Sequence, residues 1–224
     1  YKVVSVQNGM YEVKLSWGKK AFVAGWLAEA SNPENAILKD GSHYSFKDKI
    51  IVVDPGHGGN DSGTVGTNGT FEKDLTSATA SLLKKKLEAS GATVFLTRSN
   101  DQYVSLSNRV KMASLYNADA FISLHYDSSE QEHIRGITTY YYHSFQNPLA
   151  EALDQSFKNE EDLEVRDARF GDYHVLRSNS HPAVLLELGY LSNPEEEAAV
   201  TSLSYQSDIV RAVYNGLGKY YNLE

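Results

Sequence analysis

Short apolar runs alternate with helical patterns along most of the chain, and this alternation restricts its fold more than any other feature. Residues 50–53, 120–125 and 183–188 are largely apolar, as in strands buried on both faces of a parallel sheet. Residues 72–90 and 205–221 instead carry apolar side chains at helical spacing. The pattern predicts an α/β fold, with a mostly parallel central sheet covered by helices on both faces.

Weaker patterns complete this part of the chain. They predict helices at residues 106–116 and 148–158, and strands at residues 93–97, 136–142 and 173–177. Together with the stronger patterns, they predict one domain over residues 50–224.

The first part of the chain has a different composition. Residues 1–30 contain short alternating runs, and Asn8-Gly9 between two of them is typical of a β-hairpin. Residues 31–49 are polar, contain Asn32-Pro33 and Asp40-Gly41, and are predicted to be a linker. We therefore expect a short N-terminal β fragment before the larger domain. Because the chain begins at Tyr1 with strand-like sequence, we expect any targeting signal to lie upstream.

Composition excludes several classes of function. The 224 residues include no cysteine, which excludes thiol catalysis and cysteine-based metal sites. No apolar run approaches the ~18 residues of a membrane span. The formal net charge of −8 argues against nucleic acid as a partner. The length is sufficient for a core without disulfides.

Polar side chains follow three of the apolar strands. His57 lies in the loop DPGHGG (54–59), His125 ends the strand at 120–125, and Glu187 follows the run AVLL (183–186). Glu72 opens the helix after the first loop. Ligands of open α/β sheets bind at the carboxyl ends of the strands. Two imidazoles and a carboxylate are common ligands of catalytic zinc, and a further carboxylate can act as general base and acid.

Other interpretations of these residues stay open at this point. A single histidine at a strand end is more often a structural residue than a ligand, although two such histidines together favour a site. Glu72 is equally well explained as a helix-start carboxylate stabilised by the macrodipole. The loop at 54–59 is a weaker candidate for phosphate binding, because it lacks the lysine and hydroxyl residue of a P-loop. The remaining histidines are expected in loops or at the surface: His43, His133, His143, His174 and His181.

Separated sequence motifs follow one another between residues 50 and 221. They read IVVDPGHGG (51–59), FEKD (71–74), TR (97–98) with NRV (108–110), SLH (123–125) and PAVLLELGYLSN (182–193). In this order they resemble the zinc-dependent N-acetylmuramoyl-L-alanine amidases of bacteria. The dipeptide Tyr126-Asp127 departs from the family, in which a small residue and asparagine are more frequent. The resemblance covers most of the chain.

The resemblance implies a three-layer α/β/α domain that cleaves peptidoglycan between N-acetylmuramic acid and the L-alanine of the stem peptide. It implies that His57, Glu72 and His125 bind zinc and that Glu187 is the catalytic acid/base. Two alternatives remain: a zinc peptidase that acts within the stem peptide, and a partner-dependent or inactive wall-binding module.

The resemblance also carries expectations about location and partners. An enzyme of this family would act outside the cytoplasm, secreted to the cell wall or anchored to the outer face of the membrane by an upstream segment. An activating or membrane-associated protein partner and the oligomeric state stay open. Residues 11–15 and 25–27 resemble part of a bacterial SH3-type cell-wall domain. Since about 30 residues cannot close such a barrel, residues 1–30 are expected to be a truncated copy.

Overall fold

A computed structural model describes residues 2–7, 10–15, 19–24 and 44–223 of the chain. The first three strands, β1 (Lys2–Gln7), β2 (Met10–Lys14) and β3 (Lys20–Ala24), form an antiparallel sheet in the order β1-β2-β3. Val13 of the middle strand is buried. The predicted N-terminal β fragment is therefore confirmed as a sheet. Its Asn8-Gly9 turn lies outside the described residues, and its likeness to an SH3-type domain stays a prediction.

The larger domain is organised around a second sheet of six strands. These are β4 (Ile50–Pro55), β5 (Thr93–Leu96), β6 (Ala120–Asp127), β7 (Ile137–Tyr141), β8 (Val165–Phe170) and β9 (Ala183–Tyr190), in the spatial order β5-β4-β6-β9-β7-β8. The first four strands in that order are parallel to one another. Strand β7 pairs antiparallel with β9 and parallel with β8. The predicted mostly parallel sheet is confirmed.

Helices cover both faces of this sheet. They are α1 (Glu72–Ala89), α2 (Leu106–Leu115), α3 (Asn147–Lys158), α4 (His174–Arg177), α5 (Pro194–Val200) and α6 (Leu203–Tyr220). Helices α1, α3 and α6 share one hydrophobic core with the sheet, whereas α2 and α4 share another core on the opposite face. The domain therefore has the expected three layers. Among the described residues, no helix has the length and apolar character needed to cross a membrane.

The central strands explain the apolar runs of the sequence. In β4, Ile51 and Val53 face the core with α1, while Val52 faces the core with α2, because successive side chains of a strand point to opposite faces. Both faces are covered, so residues 50–53 are all apolar. The register places His125 of β6 opposite Glu187 of β9, so the carboxyl ends of these strands share one edge of the sheet.

Some elements differ from the sequence-based expectation. The predicted strand at residues 173–177 is wrong, because His174–Arg177 forms one short helical turn, α4. A four-residue segment is too short for periodicity to separate helix from strand. Strand β8 and helix α5 were not predicted. Both are short and mix charged with apolar residues.

The end of the predicted linker belongs to the packed domain. Phe46 is fully buried, and its ring centroid lies 5.2 Å from that of Tyr214 in α6. The backbone N–H of Tyr44 donates to the Tyr214 hydroxyl over 3.1 Å. Residues 25–43 lie outside the described residues, so the other boundaries of the predicted linker stay predictions.

Candidate metal centre

Three of the predicted site residues converge at the carboxyl edge of the sheet. His57 lies in the loop after β4, His125 in β6, and Glu72 is the first residue of α1. One ligand atom from each lies within 4.8 Å of the others. Glu72 Oε1 is 3.1 Å from His57 Nε2 and 2.9 Å from His125 Nδ1. A tetrahedral zinc ion with its usual bond lengths separates such atoms by about 3.3 Å. Small shifts would therefore let the three atoms bind one metal ion.

The carboxylate of Glu72 is also held by two backbone N–H groups. Its Oε1 accepts from the N–H of Tyr126 at 3.0 Å, and its Oε2 accepts from the N–H of Thr64 at 2.8 Å. Burial raises the pKa of Glu72, but hydrogen bonds from the two histidines outweigh burial and hold that pKa far below its usual range. The group is therefore an ionised carboxylate aimed at both imidazoles.

The ring of His57 is oriented by a second carboxylate. Its Nδ1 lies 2.9 Å from Asp61 Oδ1, which also accepts from the backbone N–H of Gly63. Burial lowers the pKa of His57, but the hydrogen bonds and charges of Glu72 and Asp61 outweigh it and raise that pKa. When Nδ1 carries the proton and donates to Asp61, the lone pair of Nε2 is directed away from Asp61, as in many metal-bound histidines.

The backbone at His57 has a left-handed conformation, with φ of 59°, which is uncommon for a residue with a side chain. Two arginines hold the carbonyls around it. Arg109 donates to the carbonyls of Pro55 at 2.7 Å and His57 at 2.8 Å, and Arg98 donates to that of Gly56 at 2.8 Å. These bonds satisfy three successive carbonyls and fix the turn that presents the imidazole.

Arg109 is itself paired with a buried carboxylate at the end of β4. Its Nη1 donates to Asp54 Oδ1 at 2.7 Å, and both side chains are almost completely buried. Asp54 also accepts from the hydroxyls of Thr97 and Ser123. Because a buried charge is costly unless paired, this network ties the loop of His57 to the residue that follows β5, to β6 and to α2.

Replacing Arg109 by methionine is expected to destabilise the domain by about 3–5 kcal/mol, because Asp54 would remain buried without its partner. For a domain of this size the midpoint of thermal unfolding should fall by roughly 6–20 °C. Thermal unfolding followed by circular dichroism measures this change. The matched control is Lys111→Met, an exposed position of the same helix, which should unfold within a few degrees of the unsubstituted protein. Equal midpoints for the two variants would contradict the structural role of the pair.

Glu187 lies beside the three converging residues on the neighbouring strand. It is opposite His125 in the register of β6 and β9 and is 7% exposed. Its Oε2 has no hydrogen-bond partner among the described residues. Burial raises the pKa of Glu187 well above its usual range, and the negative charges of Asp127 and Glu72 add to this effect. A buried carboxyl group with a raised pKa is suited to exchanging a proton with a reacting molecule.

A cavity of about 260 Å³ opens beside the two histidines. Its lining includes His57, His125, Tyr103, Tyr173 and His174. His174, which was expected in a loop or at the surface, is half-buried and lines this cavity. It begins α4, so the short helix that the sequence did not reveal brings it to the cavity wall.

The dipeptide Tyr126-Asp127 divides between two environments. Tyr126 is fully buried, and its hydroxyl lies 2.8 Å from that of Thr79 in α1. Its side chain therefore faces the core, as expected for the strand neighbour of His125. Asp127 is half-buried on the side of Glu187. Of these two side chains, only that of Asp127 lies on the side of the site.

Sequence reasoning missed the residues that support the site. Asp61, Asp54 and Arg98 received no role from the sequence. A carboxylate directly after the apolar run at residues 50–53 was the available signal for Asp54, since such a group is costly to bury without a function or a partner. Arg98 lies in one of the motifs that carry the family resemblance, whereas the contacts of Asp61 had no comparable signal.

Comparisons with known proteins agree with this geometry. The family described as N-acetylmuramoyl-L-alanine amidase matches residues 51–219. The chain is 44% identical over 229 residues to the putative N-acetylmuramoyl-L-alanine amidase YrvJ of Bacillus subtilis, covering 99% of this chain and 44% of that protein. It is 39% identical over 225 residues to the probable cell wall amidase LytH of Staphylococcus epidermidis, and the match covers 99% of this chain and 75% of that protein. The chain thus spans less than half the length of the Bacillus relative.

Solved structures show the same arrangement of the larger domain. The catalytic domain of the N-acetylmuramoyl-L-alanine amidase CwlV from Bacillus (Paenibacillus) polymyxa var. colistinus superposes with a TM-score of 0.76 at 36% identity, covering 79% of this chain and 99% of that one. The CwlD amidase from Clostridioides difficile, solved in complex with the GerS lipoprotein, superposes with a TM-score of 0.71 at 31% identity. This match covers 78% of this chain and 99% of that one. The fold around the candidate site is therefore that of amidase catalytic domains.

Proposed function

The chain belongs to the N-acetylmuramoyl-L-alanine amidase family, and on this premise we propose that it hydrolyses the amide between N-acetylmuramic acid and the L-alanine of the peptidoglycan stem peptide. The observation that carries the proposal is the convergence of His57, Glu72 and His125 beside the buried Glu187. These residues supply a metal-binding set and a proton-transfer group at one edge of the sheet.

We propose that His57, Glu72 and His125 hold a zinc ion. Two imidazoles and one carboxylate are a typical donor set for a catalytic zinc site with a position left for water or substrate. The observed separations of 2.9 and 3.1 Å between donor atoms are close to those of such a site. When bound, zinc polarises a carbonyl group and lowers the pKa of a water molecule.

The side chains of this protein have separate roles in the proposed reaction. The negative charge of Glu72 balances part of the metal charge, and Asp61 keeps the His57 ring in its orientation. Glu187 accepts a proton from the attacking water and later donates it to the nitrogen of L-alanine as the C–N bond breaks. The products are the free lactyl carboxyl group on the sugar and a stem peptide with a free alanine amine. The unpartnered Oε2 is the atom we assign to this transfer.

We propose that the protein acts outside the cytoplasm, where peptidoglycan is located, either secreted or anchored by a segment outside this sequence. A dependence on a protein partner is the second candidate property. The CwlD neighbour was solved with the GerS lipoprotein, and it is a structural relative of this domain.

Mass analysis of purified peptidoglycan fragments treated with the zinc-loaded protein tests the proposed reaction. The expected products are free stem peptides that begin with L-alanine, and a metal chelator should prevent their formation. Added zinc should restore it. Peptides that begin with another residue would identify a peptidase instead. If no fragment is cleaved, a partner-dependent enzyme or a wall-binding module is the better explanation.

A further inference from the structure

A small hairpin, residues 64–71, precedes the candidate metal ligand Glu72. A β-bridge between Val65 and Phe71 closes it. Its base is joined to Glu72 by two hydrogen bonds: the backbone N–H of Glu72 donates to the carbonyl of Thr64 at 2.9 Å, and the N–H of Thr64 donates to Glu72 Oε2 at 2.8 Å. The position of the Glu72 carboxylate is therefore coupled to the position of the hairpin.

The tip of the hairpin is bound to the carboxylate of Glu197 in α5. Four donors converge on this group: the hydroxyl of Thr67 at 2.5 Å, the backbone N–H of Asn68 at 2.8 Å, its side-chain amide at 3.0 Å, and the backbone N–H of Thr70 at 3.3 Å. Glu197 is 1% exposed. Burial raises the pKa of Glu197, but the hydrogen bonds from Thr67, Thr70 and Asn68 outweigh it and lower that pKa to about 2.

The hairpin is shaped around this carboxylate. A Cβ atom at Gly66 would lie 2.2 Å from an oxygen of Glu197, so only glycine fits without a shift of the carboxylate. Four donors also match the acceptor capacity of an ionised carboxyl group, which has about four lone-pair sites. A glutamine at the same place would turn an N–H₂ group toward N–H donors. The contact is therefore specific for an ionised carboxylate.

Glu197 is fixed relative to the strand that carries Glu187. Strand β9 leads into Asn193, whose side chain accepts from the backbone N–H groups of Glu195 and Glu196 and so caps α5. The N–H of Glu197 donates to the carbonyl of Asn193 at 2.8 Å. The hairpin and the segment after β9 also meet directly, since the N–H of Thr67 donates to the carbonyl of Leu191 at 3.3 Å.

We propose that Glu197 is a positioning residue for the metal centre: through the hairpin it holds the carboxylate of Glu72 at a fixed place relative to Glu187. The proposal rests on the proposed function only in taking Glu72 as a metal ligand. Glu197 itself contacts the hairpin, and none of the contacts described above joins it to His57, His125 or Glu187. Its effect on the metal is therefore transmitted through Thr64 and Glu72.

A positioning role and a purely stabilising role have different consequences. Loss of a stabilising contact lowers the unfolding free energy but leaves the folded site unchanged. Loss of a positioning contact also frees residues 64–72 in the folded protein and weakens metal binding. Mutation of a group that supports a metal ligand typically lowers metal affinity by about 10–100-fold.

The test measures zinc affinity of the full chain by competition with a chromogenic chelator, at a temperature at which circular dichroism shows each variant folded. Glu197→Ala is expected to weaken zinc binding about 10–100-fold. Glu197→Gln is also expected to weaken zinc binding. The matched control is Glu195→Gln, two residues earlier on the same helix, whose side chain is 88% exposed; its zinc affinity should be unchanged. Thr67→Val, which removes one donor from the hairpin side, gives a milder variant if Glu197→Ala does not fold.

Amide hydrogen exchange of the metal-free protein provides a readout that needs neither zinc nor turnover. In Glu197→Gln, the amides of Asn68, Thr70 and Thr64 should exchange faster, while those of the central strands keep their protection. Unchanged zinc affinity in a folded Glu197 variant would overturn the proposal, and so would faster exchange spread evenly over the domain. A chain that binds zinc but cleaves no peptidoglycan would contradict the proposed function and leave this inference standing. An unsubstituted chain that binds no zinc would overturn the inference about Glu197.

Discussion

Replacing Glu187 by glutamine is expected to abolish turnover while the protein stays folded and keeps its metal. A general acid/base contributes about 10²–10⁴-fold to the rate, and glutamine cannot accept or return the proton at the same position. The folded state should tolerate the change, because Oε2 has no hydrogen-bond partner among the described residues. The substitution also removes a buried carboxyl group that lies near the charges of Asp127 and Glu72.

The measurement is kcat on muropeptide fragments, together with the zinc content of the purified variant. Asp127→Asn is the matched control, since Asp127 is a carboxylate close to Glu187 that lies on the neighbouring strand and outside the converging metal-binding set. That variant should keep most of the activity. A Glu187→Gln enzyme that turns over within a few-fold of the unsubstituted protein would reject Glu187 as the acid/base, and loss of activity only in Asp127→Asn would transfer the role to Asp127.

Replacing His57 by alanine is expected to remove both the metal and the activity. Two donors would remain where three converge, and Asp61 would lose the ring that it orients. Loss of a group that hydrogen-bonds to a metal ligand typically lowers metal affinity by about 10–100-fold. Loss of the ligand itself should lower the affinity further. The variant should therefore lose its zinc on dialysis against a chelator that leaves the unsubstituted protein loaded.

The zinc-to-protein ratio after dialysis, measured by atomic absorption, checks this expectation. His174→Ala is the control, because His174 lines the same cavity as His57 but lies outside the converging set; it should retain one zinc per chain. Full zinc occupancy in His57→Ala would overturn the ligand assignment. His57→Ala and Glu187→Gln together separate metal binding from proton transfer, because His57→Ala should lose the metal and Glu187→Gln should keep it.

The sequence determined the layered α/β fold and the edge of the sheet at which the chemistry is placed. Strands buried on both faces require apolar residues at every position, and this requirement is visible as the runs at residues 50–53 and 183–186. Since the carboxyl ends of parallel strands meet at one edge, His57 and Glu187, which follow these runs, and His125, which ends the strand at residues 120–125, could be expected to lie together. Glu72 could be assigned as a ligand only through the family resemblance, because a carboxylate at a helix start has an equally good structural explanation.

Only the tertiary structure decided how these residues are supported. The Arg109–Asp54 pair joins positions 55 residues apart, and the contact between Thr67 and Glu197 joins positions 130 residues apart. Such contacts leave no periodic pattern, because each is a single pairing between side chains and loop groups. Helix α4, which brings His174 to the cavity, was also hidden, because its four residues are too few for periodicity to separate helix from strand. Periodicity reports which face of an element is buried, whereas the partners of a buried charge depend on how distant segments pack.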